Sequence, residues 1–252
     1  MSKAWRLIVD AHDVFWNMAM DEAMLLLRNR GVIPNTVRLY VIKPSAVTIG
    51  YFQKIREAVD LEYITANNIP VARRITGGGS VYHDEAGEVT YCVVADTSEF
   101  PGDVEDSYRR ICGVLVRAIG KFGVKAEFKP VNDIIINGRK ISGSAQARKG
   151  RALMQHGTLM YNTDIEVLAN VLKAPKEKLK AHGVKSILER VTTLSRELGR
   201  RVEKDEVIKA LIESFEEELD IRLVKGSYVE EEVKLAGRLL EKYRSREWLY
   251  RR

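Results

Sequence analysis

The chain has 252 residues, 45% hydrophobic and 30% charged, which suits one large soluble domain with a sizeable core. Forty-one Lys and Arg against 35 Asp and Glu leave a formal charge of +6 with no basic tail or stripe. That argues against a nucleic-acid binder and leaves only a weak bias toward anionic partners. No stretch has the length and apolarity of a membrane span, "MSKAWRLIVDAHD" lacks a signal-peptide core, and the two cysteines have no metal-ligand spacing, so a cytoplasmic, reducing setting is expected.

In chain order, "WRLIVD" predicts a strand and "WNMAMDEAMLLLRNRG" a helix, with Met20, Ala23, Met24 and Leu27 on one face and Gly31 as its stop. "TVRLYVI" and "AVTIGYF" read as short strands parted by Lys43-Pro44-Ser45, and "VDLEYITANNI" as a helix. "PVARRIT" predicts a strand running into three glycines. The apolar strand "EVTYCVVAD" follows, then an amphipathic helix over 103–123 that turns Ile111, Leu115, Ile119 and Phe122 inward. From 125 to 161 the pattern is strand-like again: Asn137-Gly138 between apolar runs is a hairpin signal, and "RALMQHGTLMY" is the next strand. Helices are expected at 164–173, near 175–182, at 204–219 and from about 228 onward. Strands first and helices later predict a single α+β domain over 1–252 with a mixed sheet and helices packed on it.

Three stretches carry residues suited to chemistry. In "RRITGGGSVYHD" (73–84), glycines without Cβ atoms let the backbone approach a ligand, and successive N–H groups can form an anion-binding nest. Arg73 and Arg74 leave a strand on opposite faces, so one of them faces the site as a phosphate or carboxylate clamp. The plainer alternative is a tight turn with surface arginines, against which the attached His83-Asp84 weighs. In "NDIIINGRKISGSAQ" (132–146), Lys140 precedes a small-residue strand where a ligand can lie on backbone; a solvated hairpin lysine is an equal reading. Asp133 is either a Mg²⁺ ligand or a turn residue. In "QHGTLMYN", His156 reads as a hydrogen-bonded core residue at a strand edge near the site. No Ser-His-Asp order, CxxC pair or HExxH occurs.

Together these stretches resemble the lipoate–protein ligase A family, within the wider biotin/lipoate ligase superfamily. The resemblance runs through "WNMAMDEA" (16–23), "AVTIGYFQ" (46–53), "RRITGGGSVYHD" (73–84), "NDIIINGRKISGSAQ" (132–146), "QHGTLMYNTD" (155–164) and "KLKAHGVKSILERVTTL" (178–194). It implies a mixed, largely antiparallel sheet flanked by helices, with a class II synthetase-like core. It also implies that lipoate and MgATP condense to lipoyl-adenylate, which is then attacked by a lysine of a lipoyl domain, either of a 2-oxoacid dehydrogenase complex or of the glycine-cleavage H protein. Carried over by motif, Arg74, Gly79, Ser80, Val81 and Tyr82 would hold the nucleotide, and Lys140 would contact both the lipoate carbonyl and the α-phosphate. Such a cation, with backbone N–H groups, would stabilise the charge developing on those oxygens. Gly77 and Gly78 would admit the acyl chain and Val47, Ile49 and Val81 would line an apolar tunnel for it. Arg73, His83, Asn132, Asp133 and His156 would support the site, with Asp133 a candidate Mg²⁺ ligand.

Members of this family carry a further small C-terminal domain after a segment like "SREWLYRR", where this sequence stops. A separate accessory-domain protein is therefore expected as a partner in forming the adenylate, while nucleic acid and membrane are not expected as partners. The nearest rival is an octanoyltransferase of the same superfamily, which passes octanoyl from acyl carrier protein through a cysteine thioester. In such relatives the cysteine lies just before the lysine strand or after it, but "KAEFKPVND" and "QHGTLMYNTD" contain none here, which weakens that reading. A non-catalytic lipoyl- or nucleotide-binding module would have little need for a cation such as Lys140 at a reacting carbonyl. A biotin ligase would want a different basic glycine-rich loop.

Overall fold

A computed structural model describes residues 2–173 and 186–251. Strand β1 (Lys3–His12) leads into helix α1 (Val14–Asn29), which starts where the Asp13 side chain accepts the N–H groups of Phe15 and Trp16. β2 (Thr36–Ile42), β3 (Ala46–Ile49), α2 (Ile55–Ala58), α3 (Leu61–Ala66), β4 (Val71–Arg73), β5 (Val81–His83) and β6 (Glu88–Asp96) follow. Helix α4 (Val104–Gly120) opens with a reciprocal Asp103/Asp106 capping box. Next come β7 (Glu127–Lys129), β8 (Asp133–Ile136), β9 (Arg139–Lys149) and β10 (Ala152–Met160). The remaining described elements are α5 (Ile165–Val171), α6 (Ile187–Arg190), α7 (Leu194–Leu198), α8 (Lys204–Leu219), β11 (Ile221–Lys225), α9 (Glu230–Arg244) and α10 (Arg246–Leu249). The helix expected near 175–182 lies outside the described residues.

Eight strands form one sheet in the order β11-β1-β2-β6-β10-β9-β8-β7. β1 runs parallel to β2 and β11; every other neighbouring pair is antiparallel. This is the mixed, largely antiparallel sheet expected from sequence; β3 pairs with β4 (parallel) and β5 (antiparallel) in a further, three-stranded sheet. The β8–β9 hairpin turns at Asn137 and Gly138, both at positive φ (50° and 78°), the conformation that this dipeptide tolerates. β11 was not foreseen; it follows α8 directly and pairs with β1 at the far end of the chain.

Both faces of the large sheet are covered, and β6 shows how. Val89, Tyr91, Val93 and Ala95 face a core closed by α4 and α8, whereas Cys92 and Val94 face one closed by α1 and α9. This is the two-residue period of a strand buried on both sides. Met20, Ala23, Met24 and Leu27 of α1 are buried as the helical period predicted, as are Ile111, Leu115 and Ile119 of α4, with Phe122 packed at the rim. No described helix is long and apolar enough to cross a membrane.

Candidate active site

Helix α1, the small sheet and strands β9 and β10 meet around a cleft that is open to solvent. Arg74, Gly78, Gly79, Ser80, Val81, His83, Asn132, Lys140 and His156 line it, so the structure gathers most of the residues singled out in sequence from three distant segments of the chain. Val47 and Ile49, expected as tunnel residues, instead lie fully buried in the larger hydrophobic core, and Tyr82 joins them there. The reason is strand parity: Thr48 and Val81 turn to the cleft, so their neighbours turn away. Gly77, Arg73 and Asp133 also stand outside the cleft wall.

The arginines do not reach for a ligand. All five N–H groups of Arg74 are spent inside the protein: Nε on Thr76 Oγ1 (3.0 Å), Nη1 on the Thr48 carbonyl (3.3 Å) and hydroxyl (3.2 Å), and Nη2 on the carbonyls of Gly77 (2.8 Å) and Gly79 (2.6 Å). Burial pushes its pKa down to about 10, which still leaves it a cation at neutral pH. With two glycine carbonyls turned onto Arg74, the loop's N–H groups from Gly77 to Ser80 meet no acceptor among the described residues and remain free for an anion or oxyanion. Arg73 is buried elsewhere, donating to the carbonyls of Gly50, Tyr51 and Gln53 and to those of Trp248 and Leu249 in α10. A Cβ on Gly50 would stand 2.1 Å from the Gly78 carbonyl oxygen, so only glycine permits this approach to the loop, and Gly78 itself has φ +90°.

Two carboxylate–histidine–threonine chains converge on Arg74. On one side Asp21 Oδ2 meets His156 Nδ1 (2.8 Å), and His156 Nε2 meets Thr76 Oγ1 (2.8 Å). On the other Glu88 Oε2 meets His83 Nδ1 (2.8 Å), and His83 Nε2 meets Thr48 Oγ1 (3.0 Å). Each threonine oxygen also accepts from Arg74. Each imidazole is thus held at both ring nitrogens, one against a carboxylate and the other against a threonine hydroxyl that also braces Arg74. Burial alone would raise the Asp21 carboxyl, but the bond from His156 and the charge of Arg38 outweigh it and hold the group below its usual range. His83 and His156 therefore orient the loop's arginine. Asp21, Glu88 and Thr48 were missed from sequence, although Asp21 sits on the apolar face of α1 and Glu88 opens an apolar strand.

Lys140 differs. Its Nζ lies 2.6 Å from Asp133 Oδ1 and its side chain is about one-third exposed. It curls back over Gly143, where a Cβ would come within 2.5 Å of Nζ. Asp133, a candidate magnesium ligand in sequence, is thus paired with the lysine, and no group of three or more His, Cys, Asp and Glu among the described residues is arranged for a metal. In the wall itself, Ser144 Oγ bonds Tyr91 OH (2.7 Å), and Asn132 Nδ2 donates to the Ser144 carbonyl.

The family model of the lipoyl protein ligase A/B catalytic domain matches residues 13–216. Octanoyltransferase LipM of Kyrpidia tusciae is 34% identical over 99% of this chain and 100% of that protein. The Bacillus subtilis octanoyltransferase LipM is 30% identical over 99% of each. Among solved structures, the bipartite lipoate protein ligase of Thermoplasma acidophilum superimposes with a TM-score of 0.85 at 32% identity, over 99% of this chain and 97% of that one. These full-length relatives correct the reading of the chain as an ATP-dependent ligase that activates lipoate: both of these curated proteins, matched from end to end, are octanoyltransferases. The misreading has a physical source. The resemblance implies residues suited to an activated acyl carbonyl, and adenylates and thioesters both present one.

Proposed function

The chain belongs to the lipoyl protein ligase A/B catalytic domain family, and from that premise we propose that it is an octanoyltransferase, moving an octanoyl group from the thioester of acyl carrier protein to a specific lysine of a lipoyl domain. The observation that carries this reading is the end-to-end match to octanoyltransferases at 28–34% identity. The geometry supports it. Lys140 and the N–H groups of the glycine loop border one cleft, the arrangement needed where a thioester carbonyl becomes an oxyanion. The Arg74 brace holds those N–H groups in place before substrate arrives, so little reorganisation accompanies the reaction.

Acceptors of the expected kind are the lipoyl domains of 2-oxoacid dehydrogenase complexes and the glycine-cleavage H protein. The accessory-domain protein expected from sequence served an activation step and has no task in this reading. The test is to incubate the purified chain with octanoyl acyl carrier protein and an apo lipoyl domain and weigh the acceptor. A gain of one octanoyl group, lost in Lys140→Ala, is the expected result. An acceptor modified only when lipoate and MgATP replace the thioester would overturn it.

A further inference from the structure

We propose that Glu197 is a positioning residue for Lys140: it fastens the backbone around that lysine and so sets where the ammonium meets the acyl carbonyl. The inference rests on the part that Lys140 plays in the octanoyltransferase reading.

It starts from a break in the strand that carries the lysine. Ile136 pairs with Arg139 and Ile135 with Lys140, but Ile134 then faces Ser142, so Ile141 is left over. An extra residue of this kind bends a strand and re-aims the side chains beside it, while it interrupts the ladder. The ladder is thus weakest beside the residue that most needs fixing. On its other neighbour, β9 pairs with β10 only as far as Ser144. Nearer the turn, Lys140 instead forms an isolated parallel bridge with Val191, and its carbonyl accepts the Thr192 N–H at 2.9 Å.

Glu197, in α7, gathers both sides of this bridge. Its Oε1 accepts from Arg139 Nη2 at 2.7 Å and from the Thr192 hydroxyl, and its Oε2 accepts from Asn137 Nδ2 at 3.5 Å. Arg139 precedes Lys140 in the strand, and Thr192 supplies the N–H that holds the lysine's carbonyl. One carboxylate therefore ties the two together. Successive side chains of a strand leave on opposite faces, so fixing Arg139 against Glu197 also fixes the rotation of β9 at Lys140.

The anchor itself is firm. The Glu197 side chain is 7% exposed, and Thr192 is fully buried. Val191 and Leu194 belong to the larger core, and the Ser195 N–H donates to the Tyr161 carbonyl at 2.8 Å. The run "ERVTTL", which the family resemblance marked without a role, thereby gains one. Glu197 does not line the cleft, so it acts through the lysine and not on substrate. At the far end of the lysine side chain Asp133 takes the ammonium. Lys140 is held at both ends.

The experiment uses the intact protein. Steady-state transfer from octanoyl acyl carrier protein to an apo lipoyl domain is measured for the parent, Glu197→Gln and Arg139→Met. Each substitution is also made in the Lys140→Ala background, and calorimetry establishes that every variant is folded. In the parent background Glu197→Gln should lower kcat about 10- to 100-fold, the scale of a small misplacement of a reacting group, with KM for the carrier within about twofold. Arg139→Met, at a partly exposed position, should lose roughly fivefold. With Lys140 already removed, neither substitution should lower the residual rate further, because residues acting as one unit are not additive. Should Glu197→Gln fail to fold, Arg139→Met carries the same pair of comparisons. A merely structural Glu197 would lower the melting temperature and leave kcat of the folded enzyme within about twofold of the parent; that result overturns the proposal. Equal losses in the two backgrounds overturn it as well. A parent that transfers no octanoyl group at all sinks the transferase reading instead, and the positioning of Lys140 with it.

Discussion

The arginine side and the lysine side of the cleft come from the same recognisable signature but are built in opposite ways. Arg73 and Arg74 are buried and their guanidiniums are saturated by backbone carbonyls and threonine hydroxyls. Lys140 rests partly exposed on one carboxylate, with ammonium protons to spare. A guanidinium is rigid and weakly hydrated, so it can be built into a wall; an ammonium on a flexible stem can follow an oxygen whose charge changes during reaction. One cation shapes the loop, and in the proposed reaction the other would meet the substrate. That division is open to experiment.

The largest effect should come from Arg73→Ala. It strands carbonyls of Gly50, Tyr51, Gln53 and Leu249 in a buried junction, a loss on the order of 3–5 kcal/mol. In a chain of this size that is a fall in melting temperature on the order of 10 °C, read by scanning calorimetry. A variant that melts within about 2 °C of the parent would show that α10 holds the junction without the arginine.

Next comes Lys140→Ala, with kcat/KM down roughly 100- to 1,000-fold, the usual worth of an oxyanion contact, and an almost unchanged melting temperature. Equal losses of stability at Arg73 and Lys140 would erase the contrast. Gly143→Ala should fall between these and the parent. The new methyl would meet Lys140 Nζ at 2.5 Å, and because that atom ends a flexible chain it will swing aside. Transfer should slow about tenfold, a loss of about 1.4 kcal/mol, with little change in stability.

How much of this was visible in the sequence follows the same division. Periodicity located α1 and α4, Asn137-Gly138 located the β8–β9 hairpin, and the run from Arg73 to His83 marked the loop. What escaped was whatever depends on distance along the chain or on parity. Asp21 and His156 are 135 positions apart, so neither announces the other. Strand β3 is four residues buried on both faces, and its "AVTI" cannot say whether Thr48 or its apolar neighbours face the cleft. The short α6 and α7 and the strand β11 lack the length for a periodic signal. The arginines were legible as site residues but not as saturated ones, because saturation is a property of the fold. The ligase expectation erred for a related reason: residues that hold an acyl carbonyl do not record which leaving group it carries.

The smallest effect sharpens the comparison most. Asp133→Asn keeps the shape of the side chain that Lys140 rests against and removes its charge. The pair is about 31% and 23% exposed, so its loss should cost no more than about 1 kcal/mol of stability, unlike any change at the arginines. Activity should still respond. If Asp133 holds the ammonium until the acyl carbonyl arrives, freeing the lysine should raise KM several-fold with kcat nearly unchanged. If instead Asp133 helps take the proton from the incoming amine, kcat should fall and KM should hold. The split between the two constants, measured with octanoyl carrier protein and an apo lipoyl domain, tells whether the exposed side of the cleft has one working group or two.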